Sequence, residues 1–344
     1  MATIKDVARE AGVSVATVSR VFNDSALVSQ PTREVVRRVA DRLNYWPNGA
    51  ARSLITNRTH AIGALLPDLY GEFYSEVLRG MDLAARRTGL HLLVSSSHAD
   101  TEEMVAALRM MRGRIDGVIV MAPDVDARAA IQDTAIEFPL VLIDPGRGLE
   151  GHDTISIANV QGARAVVEHL IGLGHRRIAI ITGPERNIDA HERLEGYRAA
   201  MKAGGEWSVD LELKGDFTEP SGYEAAGRML QMAQRPSAVF AGNDYMAIGV
   251  LGALSDAALR VPEDMAVTGF DDIAMARYLN PPLTTVHVDT FRLGERAVER
   301  LLAIGQGGAQ PGHEELPTRL VIRGSCGSPL GDDTRTGAAR PRGR

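Results

Sequence analysis

Apolar residues in the first 45 positions recur at helical spacing. Ile4, Val7, Ala8 and Ala11 share one face of a segment that Thr3 can cap, Gly12 suits a tight turn, and Ser14 can cap the next segment. In residues 15–23, Val18, Val21 and Phe22 point one way. At 100° per residue, Ala16, Ser19, Arg20 and Asn23 point the other way, with Val15 at the edge. Ser29 and Pro31 open a third helix, with Val35, Val39 and Leu43 inward at spacing four and Arg33, Arg37, Arg38 and Arg42 outward. Helix, glycine turn, helix with a small polar outer face is the helix-turn-helix pattern, which a small three-helix bundle also shares.

From residue 60 the rhythm becomes strand, helix, strand. Strand-length apolar runs fall at Ala61–Leu66, His91–Val94, Gly117–Met121, Leu140–Ile143, Arg177–Ile181, Ala238–Ala241 and Met265–Phe270. Amphipathic stretches such as Phe73–Arg87, Thr101–Met111, Asn159–Leu173 and Asp244–Leu254 separate most of them. That alternation predicts parallel sheets wound by right-handed crossovers, and its length suits two such units. Residues 327–344, rich in Gly, Pro, Arg and Asp without periodicity, read as a disordered tail.

Charge sharpens this division. Residues 1–58 hold nine Lys/Arg against five Asp/Glu, a surplus of +4, whereas the remaining chain holds 29 basic and 39 acidic residues, −10. Phosphate backbones are attracted to the first and repelled by the second. The longest apolar runs have strand length, short of the ~18 residues a membrane helix needs. No apolar segment marks the N-terminus for export, so a cytoplasmic location without membrane contact is expected. The single cysteine, Cys326, excludes internal disulfides and cysteine-cluster zinc sites.

Ligands in open α/β sheets bind beyond the carboxyl ends of the strands. Several predicted strands here end in polar groups: Asp68, Asp144, Glu185 with Arg186, Asn243 with Asp244, and Asp271 with Asp272. Asp and Asn at a helix start ordinarily serve as caps. Five such ends, with Arg193 nearby and Phe73, Tyr74 and Phe217 able to supply flat walls, point instead to one shared polar cleft. That mixture suits a polyhydroxy ligand, whose hydroxyls need both donors and acceptors. Enzyme signatures are missing: Gly172-Leu-Gly174 precedes a strand where a dinucleotide fingerprint would follow one, and His191-Glu192 lacks the second histidine of a zinc protease. No catalytic residue, metal or cofactor is expected.

The chain resembles the lactose-repressor/galactose-repressor (LacI/GalR) family of bacterial transcription regulators over about residues 2–326. The resemblance rests on the run from Ala2 to Asn23, on Leu43-Asn-Tyr45 and Pro47-Asn48, and on Ala51-Arg-Ser-Leu54. Arg193-Leu-Glu-Gly-Tyr197, Asn243-Asp-Tyr-Met-Ala-Ile-Gly249, Gly269-Phe-Asp-Asp272 and Pro282-Leu-Thr-Thr285 come after these in order. It implies an α/β protein with a helix-turn-helix headpiece (1–46), a hinge helix or linker (47–59), and a periplasmic-binding-protein-like core of two parallel-sheet subdomains (60–326). The N-subdomain would span about 60–156 and 289–317, and the C-subdomain about 158–286 and 319–326. Chain crossings are expected near Ile155–Ala158, Thr285–Asp289 and Pro317–Leu320.

The resemblance also implies the sites. Thr3, Ser14, Val15, Ala16, Thr17, Ser19, Arg20 and Asn23 should meet double-stranded, pseudo-palindromic operator DNA, with Val15, Ala16 and Arg20 facing base edges. Arg52 and Leu54 should contact it from the hinge, Leu54 as a minor-groove wedge. Asp68, Phe73, Tyr74, Asp144, Arg193, Phe217, Asn243, Asp244 and Asp271 should form the site of a small-molecule effector, a sugar or sugar derivative. Gly49 departs from the family's usual side chain, and glycine costs ~1 kcal/mol against alanine in a helix, so a hinge weakly formed off DNA is expected. The tail lacks a tetramerising helix, so the expected assembly is a homodimer. The other reading, a sugar-binding transport module, shares the core but has no use for a basic helix-turn-helix.

Overall fold

The computed structural model describes residues 2–22, 27–46, 58–124, 127, 131, 138–146, 151–307 and 310–327. Asn23, Arg52, Leu54, Gly49 and the tail beyond residue 327 lie outside them. The chain divides into two units, Met1–His60 with Gly113–Ile115, and Ala61–Arg112 with Asp116–Arg344.

In the first unit, α1 (Ile4–Ala11) begins in a capping box: Asp6 N–H donates to Thr3 Oγ1 (3.4 Å), and the Asp6 carboxylate accepts from Thr3 N–H (3.0 Å). It ends at Gly12, whose φ of 67° a residue with a Cβ rarely adopts. Ser14 Oγ accepts from Thr17 N–H (3.1 Å) at the start of α2 (Val15–Phe22). Helix α3 (Gln30–Arg42) closes the bundle over Val7, Val18, Val21, Val36, Val39 and Ala40. One expectation is corrected here. Val35 is exposed and Val36 is buried, because a stripe at spacing four alone drifts 40° per step, whereas 36, 39, 40 and 43 stay on one face.

Among the described residues, the second unit holds three sheets. Strands β1 (Ala61–Leu66), β2 (His91–Ser96), β3 (Val118–Met121), β4 (Leu140–Ile143), β5 (Asp153–Ile157) and β11 (His313–Leu316) form a parallel sheet in the order β11-β5-β4-β3-β1-β2. Strands β6 (Ile178–Thr182), β7 (Glu212–Lys214), β8 (Ala238–Ala241) and β9 (Ala266–Thr268) form a second parallel sheet, β7-β6-β8-β9. Strands β10 (Thr285–His287) and β12 (Arg319–Val321), which flank β11 in sequence, pair antiparallel. The chain therefore leaves the six-stranded sheet after β5, returns through β10, and leaves again at β12. Thr318 Oγ1, donating to Ala158 O (3.2 Å), ties two of these passages together.

Helices α4 (Glu72–Arg87), α5 (Thr101–Met111), α6 (Asn159–Gly172), α7 (Ile188–Gly204), α8 (Glu219–Leu230), α9 (Asp244–Asp256) and α10 (Thr290–Gly305) cover the sheets. The α4–α10 contact depends on reciprocal glycines: a Cβ on Gly80 would lie 2.1 Å from Phe291 O, and one on Gly294 2.0 Å from Val77 O. No described helix is long and apolar enough to cross a membrane.

Candidate functional site

Both parallel sheets reverse their winding once, between β1 and β3 in the larger and between β6 and β8 in the smaller. Helices leave opposite faces at such a point and open a crevice at the strands' carboxyl ends. A cavity of about 400 Å³ lies there, lined by residues just past the ends of β1 (Pro67, Asp68), β3 (Ala122, Pro123), β6 (Pro184) and β8 (Asn243). Its volume falls within the range of small-molecule sites.

One wall is a buried polar network. Arg193, on α7 and 4% exposed, donates from Nε to Asn159 Oδ1 (2.9 Å) and from Nη1 to Gly242 O (2.6 Å). Its Nη2 lies 3.2 Å from Asp271 Oδ1, an off-axis ion pair, since that oxygen has no aligned hydrogen bond. The guanidinium carbon lies 3.8 Å from the Phe270 ring centre and 5.6 Å from that of Phe217. Asn243 caps α9 by accepting from Met246 N–H (2.9 Å), and its amide donates to Phe217 O (3.0 Å). Gly183 leaves room for the Phe217 ring, which a Cβ there would approach to 2.2 Å. Phe217 (φ 71°) and Asp271 (φ 106°) both hold left-handed backbone, conformations that persist only where the surroundings enforce them.

The facing wall is aromatic. Phe73 and Tyr74, in the first turn of α4, meet edge to face with ring centres 5.4 Å apart. Burial, then the charges of Asp189, Asp68 and Asp271, push the Tyr74 hydroxyl pKa up, so it stays a neutral donor. Asp68 is exposed, and its Oδ1 accepts from Leu69 N–H (2.6 Å) and Tyr70 N–H (3.0 Å), shaping its own loop. Two rims join the walls. On one, Glu72 N–H donates to Tyr245 Oη (2.9 Å) and the Glu72 carboxylate accepts from Ala274 N–H (2.6 Å). On the other, Ile188 N–H donates to Pro123 O (2.7 Å).

Burial raises Asp271 to about 6, against the opposing pull of Arg193. Asp189 also rises to about 6 through burial, with Arg193 again opposing. Among the described residues, seven acidic side chains and two guanidiniums line the cavity.

Of the residues expected in the cleft, Asp68, Phe73, Tyr74, Arg193, Phe217, Asn243 and Asp271 line this cavity. Two do not. Asp144 comes after β4, one strand beyond the reversal, and lines a neighbouring cavity. Asp244 turns inward, fully buried, where its carboxylate accepts from Thr285 Oγ1 (2.6 Å) and Ile273 N–H (2.9 Å). Asp272 likewise faces Arg323 (2.6 Å) and His287 (3.1 Å). Arg186 lines the cavity, whereas Glu185 pairs with Lys214 (3.3 Å) outside it.

Asp189 and Tyr245 also line the cavity and were not anticipated. An acid in a helix's first turn reads as a partner of the helix dipole, so Asp189 carried no separate signal. In the first unit, Thr3, Ser14, Val15, Ala16 and Arg20 are exposed, Thr17 and Ser19 are half-buried, and Val18 and Val21 face the core.

Two family descriptions match the chain: "Bacterial regulatory proteins, lacI family" over residues 3–48, and "Periplasmic binding protein-like domain" over 167–326. The ribose operon repressor of Escherichia coli (strain K12) is 40% identical over 330 residues, 95% of this chain and all of that protein. The crystal structure of the lac repressor dimer bound to operator and the anti-inducer ONPF superposes with a TM-score of 0.87 at 33% identity, covering 94% of this chain and 99% of the other. A LacI family transcriptional regulator from Enterococcus faecium with bound ribose superposes with a TM-score of 0.68 at 26% identity, covering 77% and 98%.

Proposed function

Because the chain belongs to the lacI family of bacterial regulatory proteins, we propose a repressor whose grip on operator DNA is set by a neutral monosaccharide of pentose size. The chain is a DNA-binding transcription regulator under small-molecule control, not an enzyme. Its partners are operator DNA, the effector and a second copy of itself. A cytoplasmic location is part of the proposal.

The observation that carries the effector class is the charge of the cavity. Seven carboxylates against two guanidiniums repel a phosphate ester, yet supply acceptors for many hydroxyls. Arg193 and Asn243 add donors to that ring of acceptors, and Phe73 and Phe217 offer faces to the apolar side of a sugar ring. A ribose operon repressor among the relatives and ribose bound in a structural neighbour support a pentose.

Thermal melting of the full chain with D-ribose, D-ribose 5-phosphate and adenine tests this reading. D-ribose at ~100 times its dissociation constant should stabilise the fold by about 2.7 kcal/mol, the other two by nothing. Stabilisation by the phosphate ester, or by the flat base alone, would overturn it. Control of DNA binding is reciprocal: whatever factor the sugar applies to operator affinity, the operator applies to sugar affinity.

On the DNA side, Arg20 is assigned to a guanine edge, where its guanidinium pairs bidentately, while Val15 and Ala16 make apolar contacts. Arg20→Ala should cost about 1–3 kcal/mol on the cognate operator and relax discrimination at one base pair per half-site. A gel-shift series in which every DNA sequence weakens equally would reduce Arg20 to a phosphate contact.

A further inference from the structure

A second cavity, of about 550 Å³, lies beyond the reversal point, bounded by the end of β4, by β5 and β11, and by the first turns of α6 and α7. Asp144 stands in it, 2% exposed and with left-handed backbone (φ 49°). Its Oδ1 accepts from Ile157 N–H (3.0 Å), but Oδ2 has no hydrogen-bond partner. A buried carboxylate oxygen left unmatched is costly, and the fold gains nothing visible from keeping it. Asp189, Glu192, Glu195 and Glu315 add four more carboxylates to the same lining, and no lysine or arginine is among its described residues. His152 contributes a second unmatched buried atom, Nδ1.

We propose that this cavity binds a small organic cation bearing primary ammonium groups. An ammonium brings three donors and a positive charge to the unmatched Asp144 Oδ2 and the carboxylates around it. A bare divalent metal fits less well, because the described residues contain no cluster of three or more ligating side chains at metal-binding spacing. The cavity is also wired to the first one. Asp189 lines both, and Asn159 donates to Asp189 (3.0 Å) and Glu192 (3.2 Å) while accepting from Arg193 (2.9 Å). A cation here therefore changes the field at the guanidinium that faces the first cavity, giving the chain a second small-molecule input.

Calorimetric titration of the full chain with putrescine, beside magnesium chloride at matched ionic strength, tests the proposal. The expected result is one putrescine per chain and no saturable magnesium binding. Asp144→Asn should weaken putrescine at least tenfold, and Glu315→Gln, an exposed position that leaves folding intact, should weaken it several-fold. Asp216→Asn, which removes a carboxylate of the first cavity only, should leave it unchanged. Failure of putrescine to bind, equal binding of magnesium, or equal weakening by all three variants would overturn the assignment.

Discussion

On the wall that the four-stranded sheet contributes to the first cavity, Arg193, Asn243 and Asp271 are 4, 6 and 8% exposed and already engaged with neighbours. On the wall that the six-stranded sheet contributes, Asp68 is exposed, Phe73 and Tyr74 are half-buried, and the Asp68 carboxylate is occupied by its own loop. A polar wall set during folding fixes a ligand's orientation at little further cost in side-chain entropy. A looser aromatic wall can follow the ligand's shape and shut out water. The two walls should therefore fail differently when cut.

The largest effect is expected from Arg193→Ala. It strips Asp271 of its counter-charge, Asn159 of a donor and Gly242 O of its partner at once. Breaking a buried pair by removing one member typically costs about 3–5 kcal/mol, so the melting temperature should fall and D-ribose titration should show no binding. Operator affinity without ligand should survive at temperatures where the variant stays folded. Ribose affinity within tenfold of the parent would mean that the polar wall does not orient the ligand.

Asp271 offers a gentler cut of the same wall. Folded, its carboxyl holds a proton up to about pH 6, whereas in the unfolded chain it titrates near its ordinary 3.8. A raised carboxyl contributes stability that is complete below the unfolded value and disappears as pH rises through the folded one. Melting followed from pH 4 to pH 7 should thus show a loss of up to about 3 kcal/mol from this group, which Asp271→Asn removes from the profile. A variant with the parent's pH slope would place the titration elsewhere, with Asp189 the next group to replace.

Cutting the other wall should cost less. Phe73→Ala removes one aromatic face from a half-buried position, about 1 kcal/mol or several-fold in ribose affinity, with little change in melting. A loss as large as that from Arg193→Ala would erase the distinction between the walls.

How far these walls could be read from the sequence depends on the same division. The headpiece was legible because Thr3, Gly12 and Ser14 mark their own turns and caps and the valines between them keep helical period. Asp68, Asn243 and Asp271 were legible as strand ends. Asp144 and Asp244 look the same in sequence, and they are separated by strand order and by the side a carboxylate turns to, both properties of the assembled sheet. The three-residue strands β7, β10 and β12 carry too few positions to show a period, so the passages between sheets came only from the family resemblance. Val35 was misplaced by one position because a helix stripe alternates spacings of three and four.

The smallest expected effect belongs to the rim where the two walls touch. Tyr245 Oη accepts from Glu72 N–H (2.9 Å), at the N-terminus of α4, and its ring lies against Gly71, where a Cβ would come within 3.2 Å. The hydroxyl thus supplies an acceptor to one of the amide groups that a helix start leaves without an internal partner. Tyr245→Phe keeps the ring and removes only that acceptor, and water can replace it when the rim parts. The net worth of such a bond is about 0.5–1.5 kcal/mol, all of it on the closed arrangement. The closed population should fall by the matching factor of a few, and ribose affinity with it. Because the contact holds the walls together after the ligand has entered, the change should appear in dissociation, with association nearly constant. Stopped-flow release of ribose decides the point: an unchanged off-rate with a slower on-rate would make Tyr245 part of the entry path instead of the latch.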